Sequence, residues 1–405
     1  MKKTILPIGP FHPLLEEPEF FTFHLDGETV IDVDVRIGYN HRGHEKLATG
    51  LTWDQVPFLV ERICGICSTS HPYAYVLAVE DMLGIEPPPR GKYIRSLIGE
   101  MERIHSHLLW LGLAGHFIGY NTVWMWAWRY REEILDACEL LSGNRNHYAM
   151  CRVGGARRDV SQKALDFTMK ALDTNEKSTK MFLGAVADDP VIHKRLKGVG
   201  ILTKEDAIAY CATGPTSRPS GVRWDIRETD PYDAYGESLE AGAWKVIVTE
   251  NGDVFDKAVV RVLETLESIY LCRWLIENMP DGDFQVVPGE MHEGEGCGHH
   301  EAPRGEVFHY VRSDGSNKPI RHKVRAPTFS NLPTYKASCP GEQIADVALI
   351  TAAIDPCYCC TERVGVIAGG KHSSLTQDDL VKLSVEKTME IEKRMGVKSV
   401  LNKFK

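Results

Sequence analysis

Two pairs of cysteines in this sequence have a spacing that suits the binding of one soft metal ion. Cys64 and Cys67 form the first pair, and Cys357 and Cys360 form the second, each with two residues between them. The turn between such cysteines brings both sulfur atoms to the same side of the backbone. Four thiolates suit zinc, an iron–sulfur cluster or nickel. If the two pairs meet in space, they join the two ends of the sequence across its core.

The residues alone leave three other interpretations of these pairs open. Zinc ribbons place their Cys-x-x-Cys pairs roughly 15–20 residues apart, whereas most of the chain separates the pairs here. A thioredoxin-like redox pair fits the segment Cys64-Gly65-Ile66-Cys67, but it leaves the second pair unexplained and expects a βαβ unit. The third interpretation is a set of structural cysteines that bind no metal.

The other cysteines show no comparable pattern. The total of eleven is high for a reducing compartment, where disulfides are rare, and an odd number excludes complete internal pairing. Cys359 is an extra thiol inside the second pair. The cysteines that stand singly are predicted to be small buried hydrophobic residues: Cys138, Cys151, Cys211, Cys272, Cys297 and Cys339.

Charge and hydropathy restrict the partners. The net charge of −9 and the lack of a long Lys/Arg block argue against nucleic acid, since phosphate neutralisation needs clustered cations. Residues 1–20 lack the apolar core of a signal peptide. The apolar stretch 108–118 is shorter than the ~20 residues that a membrane span needs. We therefore expect a cytoplasmic chain whose membrane attachment comes through partners.

The elements that must position the cysteines are predicted from periodicity. Residues 20–37 alternate with period two around Asp26-Gly27, which predicts a hairpin. Pro87-Pro88-Pro89 separates the first two predicted helices. Apolar residues at helical spacing predict helices over 53–81, 91–117, 121–149, 160–200 and 250–278. A loop is predicted around 213–236, short strands and loops over 284–330, and a short apolar element at 343–354.

These elements predict an α+β fold that is mainly helical. A central helical bundle is expected between a small N-terminal β region and a C-terminal mixed β/loop region. The predicted regions are 1–52 (β-rich), 53–283 (helical bundle with the first cysteine pair), 284–363 (mixed, with the second pair) and 364–405 (a C-terminal extension).

Both cysteine segments resemble known nickel-binding signatures. R-I-C-G-I-C-S-x-x-H at 62–71 and D-P-C-x-x-C-T-x-R at 355–363 resemble the two motifs of [NiFe] hydrogenase large subunits. The resemblance implies that Cys64 and Cys357 are terminal nickel ligands, and that Cys67 and Cys360 bridge nickel to iron. In heterolytic hydrogen splitting, the first proton is expected on a terminal thiolate such as Cys357, which is therefore also a candidate catalytic residue. The resemblance also implies carbon monoxide and cyanide ligands on the iron, made by maturation proteins.

The rest of the chain resembles the quinone-site subunit of respiratory complex I. The segments that carry this resemblance are 9–13, 38–46, 102–108, 224–227, 231–232 and 301–306. Complex I subunits have lost the four cysteines, whereas this sequence keeps them. The combination implies the energy-converting, membrane-bound hydrogenases of the Ech, CO-induced and formate-hydrogenlyase type. The alternative is a complex-I-like coupling subunit, linked to quinone or sulfur, without hydrogen chemistry.

The resemblance also implies residues that handle protons and ligands. Glu17, which directly precedes a proline, matches the family's proton-relay glutamate, with Glu16 as the alternative and a solvated acidic turn as the competing interpretation. Arg304 resembles the arginine that overhangs the metals, unless it forms a structural salt bridge. Pro327 and Thr328 resemble the residues around a cyanide ligand, although a threonine in a surface loop is a competing interpretation.

Two further positions concern the surroundings of the metals. His71 could hydrogen-bond a bridging thiolate, or it could be a packed histidine. Glu45 matches a glutamate that binds an additional magnesium or iron ion in many standard hydrogenases, where a histidine completes the site. Arg363 occupies the position of that histidine. We therefore do not predict the additional ion, and a Glu45–Arg363 ion pair is expected instead.

Electron transfer requires partners, because the remaining cysteines offer no further cluster motif. Iron–sulfur clusters are therefore expected only in partner subunits, with an iron–sulfur small subunit docked near the Cys64–Cys67 loop. The resemblance adds ferredoxin-like and complex-I-like hydrophilic subunits and integral-membrane ion-pumping subunits. It also suggests proteolytic removal of 364–405 after Arg363 on maturation, with a retained docking element as the alternative. In that extension Ser374 is predicted to cap a basic amphipathic helix.

Overall fold

The computed structural model describes residues 4–12, 15–361, 366–368, 371–373 and 377–396. The chain divides into two compact units, Met1–Glu362 and Arg363–Lys405, and the larger unit carries all four paired cysteines. Within the described ranges, no helix combines the length and the apolar character that a bilayer crossing requires. The mainly helical α+β fold predicted from the sequence is confirmed.

The N-terminal region is a three-stranded antiparallel sheet. Its strands are β1 (Thr4–Ile8), β2 (Phe20–Asp26) and β3 (Thr29–Arg36), in the order β1-β2-β3. The predicted hairpin is confirmed, with Gly27 in the left-handed conformation that its turn requires. Alternate side chains such as Phe21, Phe23 and Val33 are buried against the short C-terminal helices. The sheet therefore packs beside the segment that carries the second cysteine pair.

Four long helices form the central bundle. They are α4 (Pro89–Phe117), α5 (Asn121–Ser142), α6 (Gln162–Asp188) and α11 (Val254–Glu277), and they share one apolar core. Pro89 begins α4 at a position where the missing N–H is tolerated. Ser161 and Asp253 cap α6 and α11 by accepting backbone N–H groups with their side chains. Helix α5 ends at Ser142, because Gly143 turns left-handed there, so the prediction of a helix to 149 was too long.

The prediction of one helix over 53–81 was wrong. Two helices occupy this region, α2 (Val56–Val60) and α3 (Ser70–Leu83). The loop 61–69 between them carries the first cysteine pair. The shorter helices are α1 (His44–Ala48), α7 (Pro190–Leu196), α8 (Lys204–Ala209), α9 (Ile226–Thr229), α10 (Tyr235–Glu240), α12 (Pro327–Asn331), α13 (Tyr335–Ser338) and α14 (Val347–Ala353).

A second antiparallel sheet supports α3. It consists of β6 (Glu293–Ala302), β7 (Gly305–Asp314) and β8 (Arg321–Arg325), while β4 (Cys151–Arg152) and β5 (Gly155–Ala156) form a separate hairpin. Helix α3 lies directly on β6, because a Cβ at Gly296 or Gly298 would come within 2.2 Å of helix carbonyl oxygens. This close contact determines where the chain leaves the first cysteine loop.

The smaller unit contains β9 (Val366–Ala368), β10 (Lys371–Ser373) and α15 (Gln377–Met395). The predicted helix of the C-terminal extension therefore exists. Its proposed cap Ser374, and the proposed cleavage position between Arg363 and Val364, lie outside the described residues.

Candidate metal centre

The four paired cysteines meet in one buried cluster, although most of the chain separates the two pairs. Their sulfur atoms all lie within 4.8 Å of one another. The Sγ of Cys357 lies 2.8 Å from that of Cys360 and 3.2 Å from that of Cys64. None of them forms a disulfide. Four sulfurs this close, shielded from water, are a donor set that suits a soft metal ion.

The first cysteine loop is held by side chains of α4. The Glu102 carboxylate accepts hydrogen bonds from the Thr69 N–H, at 2.5 Å, and from the Ser70 hydroxyl. His105 Nε2 lies 3.0 Å from the carbonyl oxygen of Ile66. Within the loop, the backbone N–H groups of Ile66 and Cys67 donate to the Cys64 sulfur at 3.4 and 3.3 Å. These contacts favour a thiolate at Cys64.

The second cysteine segment follows α14 through a strained turn. Asp355 has a φ of +54°, and a short 3₁₀ turn then carries Cys360. The Trp110 indole donates to the Ala352 carbonyl at 2.8 Å and fixes the end of α14. The Thr328 hydroxyl accepts a hydrogen bond from the Cys357 N–H at 3.1 Å. Elements from three regions of the sequence thus determine the position of this turn.

Arg42 connects the two cysteine segments directly. Its guanidinium donates to the carbonyl oxygens of Arg62 and Ile63, each at 2.7 Å, and to that of Cys359 at 3.3 Å. The first two carbonyls precede Cys64, and the third lies inside the second pair. The planar guanidinium of Arg42, which carries several fixed donors, therefore holds the two cysteine segments next to each other.

Hydrogen bonding among the sulfurs makes the four thiols unequal. Contacts from Cys357, Cys360 and Cys67 lower the pKa of Cys64 well below its usual value. Contacts with Cys360, Cys64 and Cys67 raise the pKa of Cys357, whose thiol donates a hydrogen bond to the Cys64 sulfur. A metal ion that replaced these shared protons would relieve the crowding, because thiolates are the form that binds metal.

Arg304 lies beside this cluster and is almost completely buried. Its Nη2 is 2.8 Å from Oδ1 of Asp355, and its Nε donates to the Asp355 carbonyl at 2.7 Å. Although burial disfavours the charged guanidinium, Asp355 and the sulfurs of Cys67, Cys357 and Cys64 raise the pKa of Arg304 well above its usual value. Arg304 therefore forms a structural salt bridge with Asp355, and it also places a positive charge beside the four sulfurs.

The two acidic candidates at the N-terminus occupy different positions. Glu17 is partly buried, and its Oε2 accepts a hydrogen bond from the Cys359 N–H at 2.8 Å. Burial, followed by the nearby Cys64 sulfur, raises the pKa of Glu17. Glu16 is exposed. The acidic segment thus touches the second cysteine segment through Glu17, which a solvated turn does not explain.

The other predicted positions are buried near the cluster or paired away from it. Pro327 begins α12, and Thr328 beside it is 1% exposed, which excludes the surface-loop interpretation. His71 Nε2 lies 3.5 Å from the Cys360 sulfur. Glu45 contacts Lys323 at 2.5 Å and accepts from the Val324 N–H at 3.1 Å.

Arg363, the partner expected for Glu45, lies outside the described residues. The observed partner Lys323 is on β8, far from Glu45 in sequence, and no spacing signal indicates it.

The prediction that all singly placed cysteines are buried was wrong for Cys211 and Cys297, which are exposed. Cys297 alternates outward along β6, and Cys211 has a φ of +54° at the turn after α8.

Sequence reasoning missed several residues that hold the site. They are Arg42, Glu102 and His105, which hold the cysteine loops, and His309 and His322, which continue from His71. Glu102 and His105 have one available signal, since they lie at i and i+3 on a helix that packs beside the first loop. The other three act across long sequence separations.

Comparisons with known proteins agree with this geometry. Residues 118–292 and 287–363 match the family described as "Respiratory-chain NADH dehydrogenase, 49 Kd subunit". Residues 42–113, which include the first cysteine pair, match the family described as "Nickel-dependent hydrogenase". The two matches divide the larger unit between two related families.

Individual relatives cover nearly the whole chain. The membrane-bound hydrogenase subunit alpha of Pyrococcus furiosus is 42% identical, over 95% of this chain and 93% of the relative. The carbon monoxide-induced hydrogenase of Rhodospirillum rubrum is 36% identical, over 90% of this chain and 100% of the relative. A solved chain of the membrane-bound sulfane sulfur reductase, an archaeal respiratory membrane complex, superimposes with a TM-score of 0.83 at 30% identity. That alignment covers 89% of this chain and 98% of the solved one.

Two of these relatives are named for membrane-bound complexes and two for hydrogenases, and the alignments cover 89–95% of this chain. The chain therefore belongs to the family of energy-converting [NiFe] hydrogenase large subunits that is related to the 49 kDa subunit of respiratory complex I.

Proposed function

We propose that this chain is the catalytic large subunit of a membrane-bound [NiFe] hydrogenase, which oxidises H2 and reduces protons reversibly. The observation that carries the proposal is the buried four-cysteine cluster, assembled from two distant segments. A subunit that only transmitted conformational change would have no need of four thiols crowded together without disulfides. The likeness to membrane-bound hydrogenases supports the same reaction.

The residues present fit a nickel–iron group. Cys64 and Cys357 would be the terminal nickel ligands, and Cys67 and Cys360 the ligands shared with iron. Pro327 and Thr328 would help to hold the iron with its carbon monoxide and cyanide ligands. When bound, this group supplies the redox centre at which H2 is converted into two protons and two electrons.

The side chains of this chain provide charge balance and proton transfer. Arg304 remains cationic beside the sulfurs and offsets their negative charge, while Asp355 keeps its guanidinium in place. Burial of the cluster excludes bulk water, so a proton that leaves a cysteine sulfur needs an internal acceptor. The Glu17 carboxylate lies next to the second cysteine segment and serves as that acceptor.

Electrons must leave through a partner subunit. Across the described parts of the chain, the four cysteines are the one group of three or more side chains placed to hold a metal ion. We place an iron–sulfur small subunit near the Cys64–Cys67 loop. Further hydrophilic and ion-pumping partners would hold the chain at the cytoplasmic face of the membrane and exchange electrons with ferredoxin, formate or CO.

The second candidate is a complex-I-like coupling subunit linked to quinone or sulfur. The fold similarity to the sulfane sulfur reductase chain favours it, since that complex is named for a different substrate. The two candidates differ in whether the cysteine cluster holds nickel and reacts with H2.

The deciding experiment is metal analysis of the complex purified from its native host, together with H2/D+ exchange. We expect about one nickel per chain, with iron. Cys357→Ala should abolish both exchange and nickel retention, because a terminal ligand is lost. Cys297→Ala, which changes an exposed cysteine outside the cluster, is the matched control. Nickel-free complex that still transfers electrons would establish the coupling subunit instead.

Maturation is tested separately. We propose that residues 364–405 are removed by cleavage after Arg363 once the metals are inserted. Mass spectrometry of the nickel-loaded subunit should then give a C-terminus at Arg363. A loaded subunit that still ends at Lys405 would refute the cleavage without affecting the proposed activity.

A further inference from the structure

Three buried histidines form a continuous line that begins at the cysteine cluster. His71 Nε2 lies 3.5 Å from the Cys360 sulfur, and His71 Nδ1 lies 3.1 Å from His309 Nε2. His309 Nδ1 in turn lies 3.0 Å from His322 Nε2. All three side chains are at most 1% exposed. Each ring therefore uses one nitrogen toward the cluster and the other away from it.

The fold places these histidines on three different elements. His71 is in the first turn of α3, His309 is on β7 and His322 is on β8. In the sheet register His309 pairs with Gly298 on β6, and Gly298 lets α3 pack directly on the strand. Because Gly298 carries no side chain, α3 comes close enough for His71 to reach His309.

Both sheet histidines are neutral near pH 7. Burial, with His322 and His71 as neighbours, lowers the pKa of His309 well below its usual value. Burial lowers the pKa of His322 to about 4, although the Glu45 carboxylate acts in the opposite direction. A neutral imidazole has one N–H group and one bare nitrogen. The line can therefore exist in two states, with every N–H pointing either toward the cluster or away from it.

We propose that His71, His309 and His322 form a proton relay between the cysteine cluster and the Glu45 side of β8, separate from Glu17. This inference rests on the proposed function. A proton enters at His71 Nε2, each ring passes the proton of its other nitrogen to the next ring, and His322 releases one from Nδ1. One proton crosses the line, and each imidazole ends with the charge it began with. Every N–H then points toward the cluster, so each ring must rotate and exchange its two nitrogens before a second proton can cross in the same direction.

The far end of the line supports an outlet. His322 Nδ1 is buried and has no hydrogen-bond partner among the residues that the structure describes. An unsatisfied buried polar atom lowers the stability of the folded chain, so packing alone does not explain this arrangement. The Glu45 side chain, which is 24% exposed, is the acid whose charge acts on His322. The relay would release its proton from His322 Nδ1 on the side of Glu45.

Two variants at the middle ring distinguish a relay from a structural contact. His309→Phe removes both hydrogen bonds. His309→Gln keeps one donor and one acceptor but cannot exchange protons between tautomers. In the nickel-loaded complex we expect both variants to slow H2/D+ exchange about tenfold. This is less than the roughly hundredfold or greater loss that is typical of a missing proton-transfer group, because Glu17 remains. Nickel content should match the wild type.

The control for these variants is His299→Phe, which changes a partly exposed histidine on β6 that lies outside the line. It should exchange at the wild-type rate. Wild-type rates in both His309 variants would overturn the relay, and so would rescue by Gln alone, which would mean that His309 only positions His71. A wild-type complex that contains nickel but shows no exchange would overturn the proposed function, a distinguishable result.

A second readout does not depend on hydrogen turnover. In the metal-free full chain labelled with ¹⁵N-histidine, NMR should show one protonated and one bare nitrogen on His309 and on His322 at pH 7. On both rings the N–H group should point the same way along the line, either toward the cysteine cluster or away from it. A cationic ring, or opposed directions at the His309–His322 contact, would overturn the relay.

Discussion

Two buried polar regions of this molecule differ in how their charges are balanced. One is the cysteine cluster, and the other is an ion-pair network in the bundle. The network consists of three arginines and four acids, all nearly inaccessible to water: Arg103, Arg218, Arg227, Glu100, Asp225, Glu264 and Glu301. The cysteine cluster brings four sulfurs beside a single buried guanidinium, Arg304, which Asp355 already binds.

In the network, each acid faces at least one guanidinium. Arg218 lies 2.7 Å from both Glu264 and Glu301, and Arg227 lies 2.7 Å from Asp225 and 3.0 Å from Glu100. Although burial disfavours the charged carboxylates, these arginines and Arg103 hold the pKa values of Glu100 and Glu264 well below the usual range.

Acids near the cysteine cluster show the opposite behaviour. Burial raises the pKa of Glu17 and raises that of Glu19 to about 8. Glu301 is the exception within the network, because burial and Asp225 raise its pKa to about 7. The comparison teaches that, in the network, the fold itself supplies arginines that balance the charge of the buried carboxylates. The cysteine cluster instead has Arg304 as its neighbouring buried cation, so four thiolates there would need a bound cation for charge balance.

The largest effect on stability is expected in the network. Arg218→Met should lower the free energy of unfolding by about 3–5 kcal/mol, because Glu264 and Glu301 lose their shared cation while they remain buried. Chemical denaturation of the metal-free chain measures this. Arg223→Met, which removes an exposed pair with Glu228, is the control and should cost no more than about 1 kcal/mol. Equal losses in both variants would remove the distinction between buried and exposed pairs.

The next effect is a pH dependence on the cysteine side. Glu19 is buried, and its pKa of about 8 exceeds the unfolded value near 4.5. Between these values the folded chain holds a proton that the unfolded chain has released. Stability is therefore highest below pH 4.5, and this residue lowers it as pH rises towards 8, with a limiting slope of about 1.4 kcal/mol per pH unit.

Glu19→Gln removes this titration, so the variant should gain stability relative to the wild type as pH rises from 5 to 8. Denaturation at several pH values measures the difference. Glu28→Gln, on the exposed hairpin turn, is the control and should leave the pH profile unchanged. Parallel profiles for Glu19→Gln and the wild type would contradict the idea that this side of the molecule lacks counter-charges.

Arg42→Gln tests the connection between the two cysteine segments. The variant loses the charged hydrogen bonds to Arg62, Ile63 and Cys359. We expect a loss of about 1 kcal/mol in stability and a clear fall in nickel content, because the loops are no longer held together. Arg36→Gln, on the exposed end of β3, should change neither. Unchanged nickel in Arg42→Gln would show that the metal alone aligns the loops.

The smallest stability effect is expected at the cluster itself. Cys64→Ala should change the stability of the metal-free chain by about 1 kcal/mol or less, since it leaves a small cavity but relieves crowded sulfurs. Nickel retention should nevertheless be lost. Denaturation and metal analysis of the same preparations measure both. A loss as large as that of Arg218→Met would mean that the cluster is a structural core without metal.

Local patterns were enough for part of this structure. The hairpin at Asp26-Gly27 and the amphipathic helices follow from turn chemistry and apolar periodicity, which act over a few residues. The break at 61–69 was missed, because apolar residues such as Ile63 and Ile66 continue the helical spacing through the loop. In the folded chain, these two side chains pack instead in the apolar cluster that surrounds the first cysteine pair.

The sequence by itself determined which donors the centre can offer, because residue type and Cys-x-x-Cys spacing specify four thiols in two pairs. It also indicated Glu17, Arg304 and His71 through motif resemblance. Only the tertiary structure decided how those donors are held and connected. Arg42, His309 and His322 act through contacts between residues far apart in the chain, and such contacts leave no local pattern. Burial likewise appears only on folding, and it places the ion-pair network beside its own counter-charges and the four sulfurs beside Arg304.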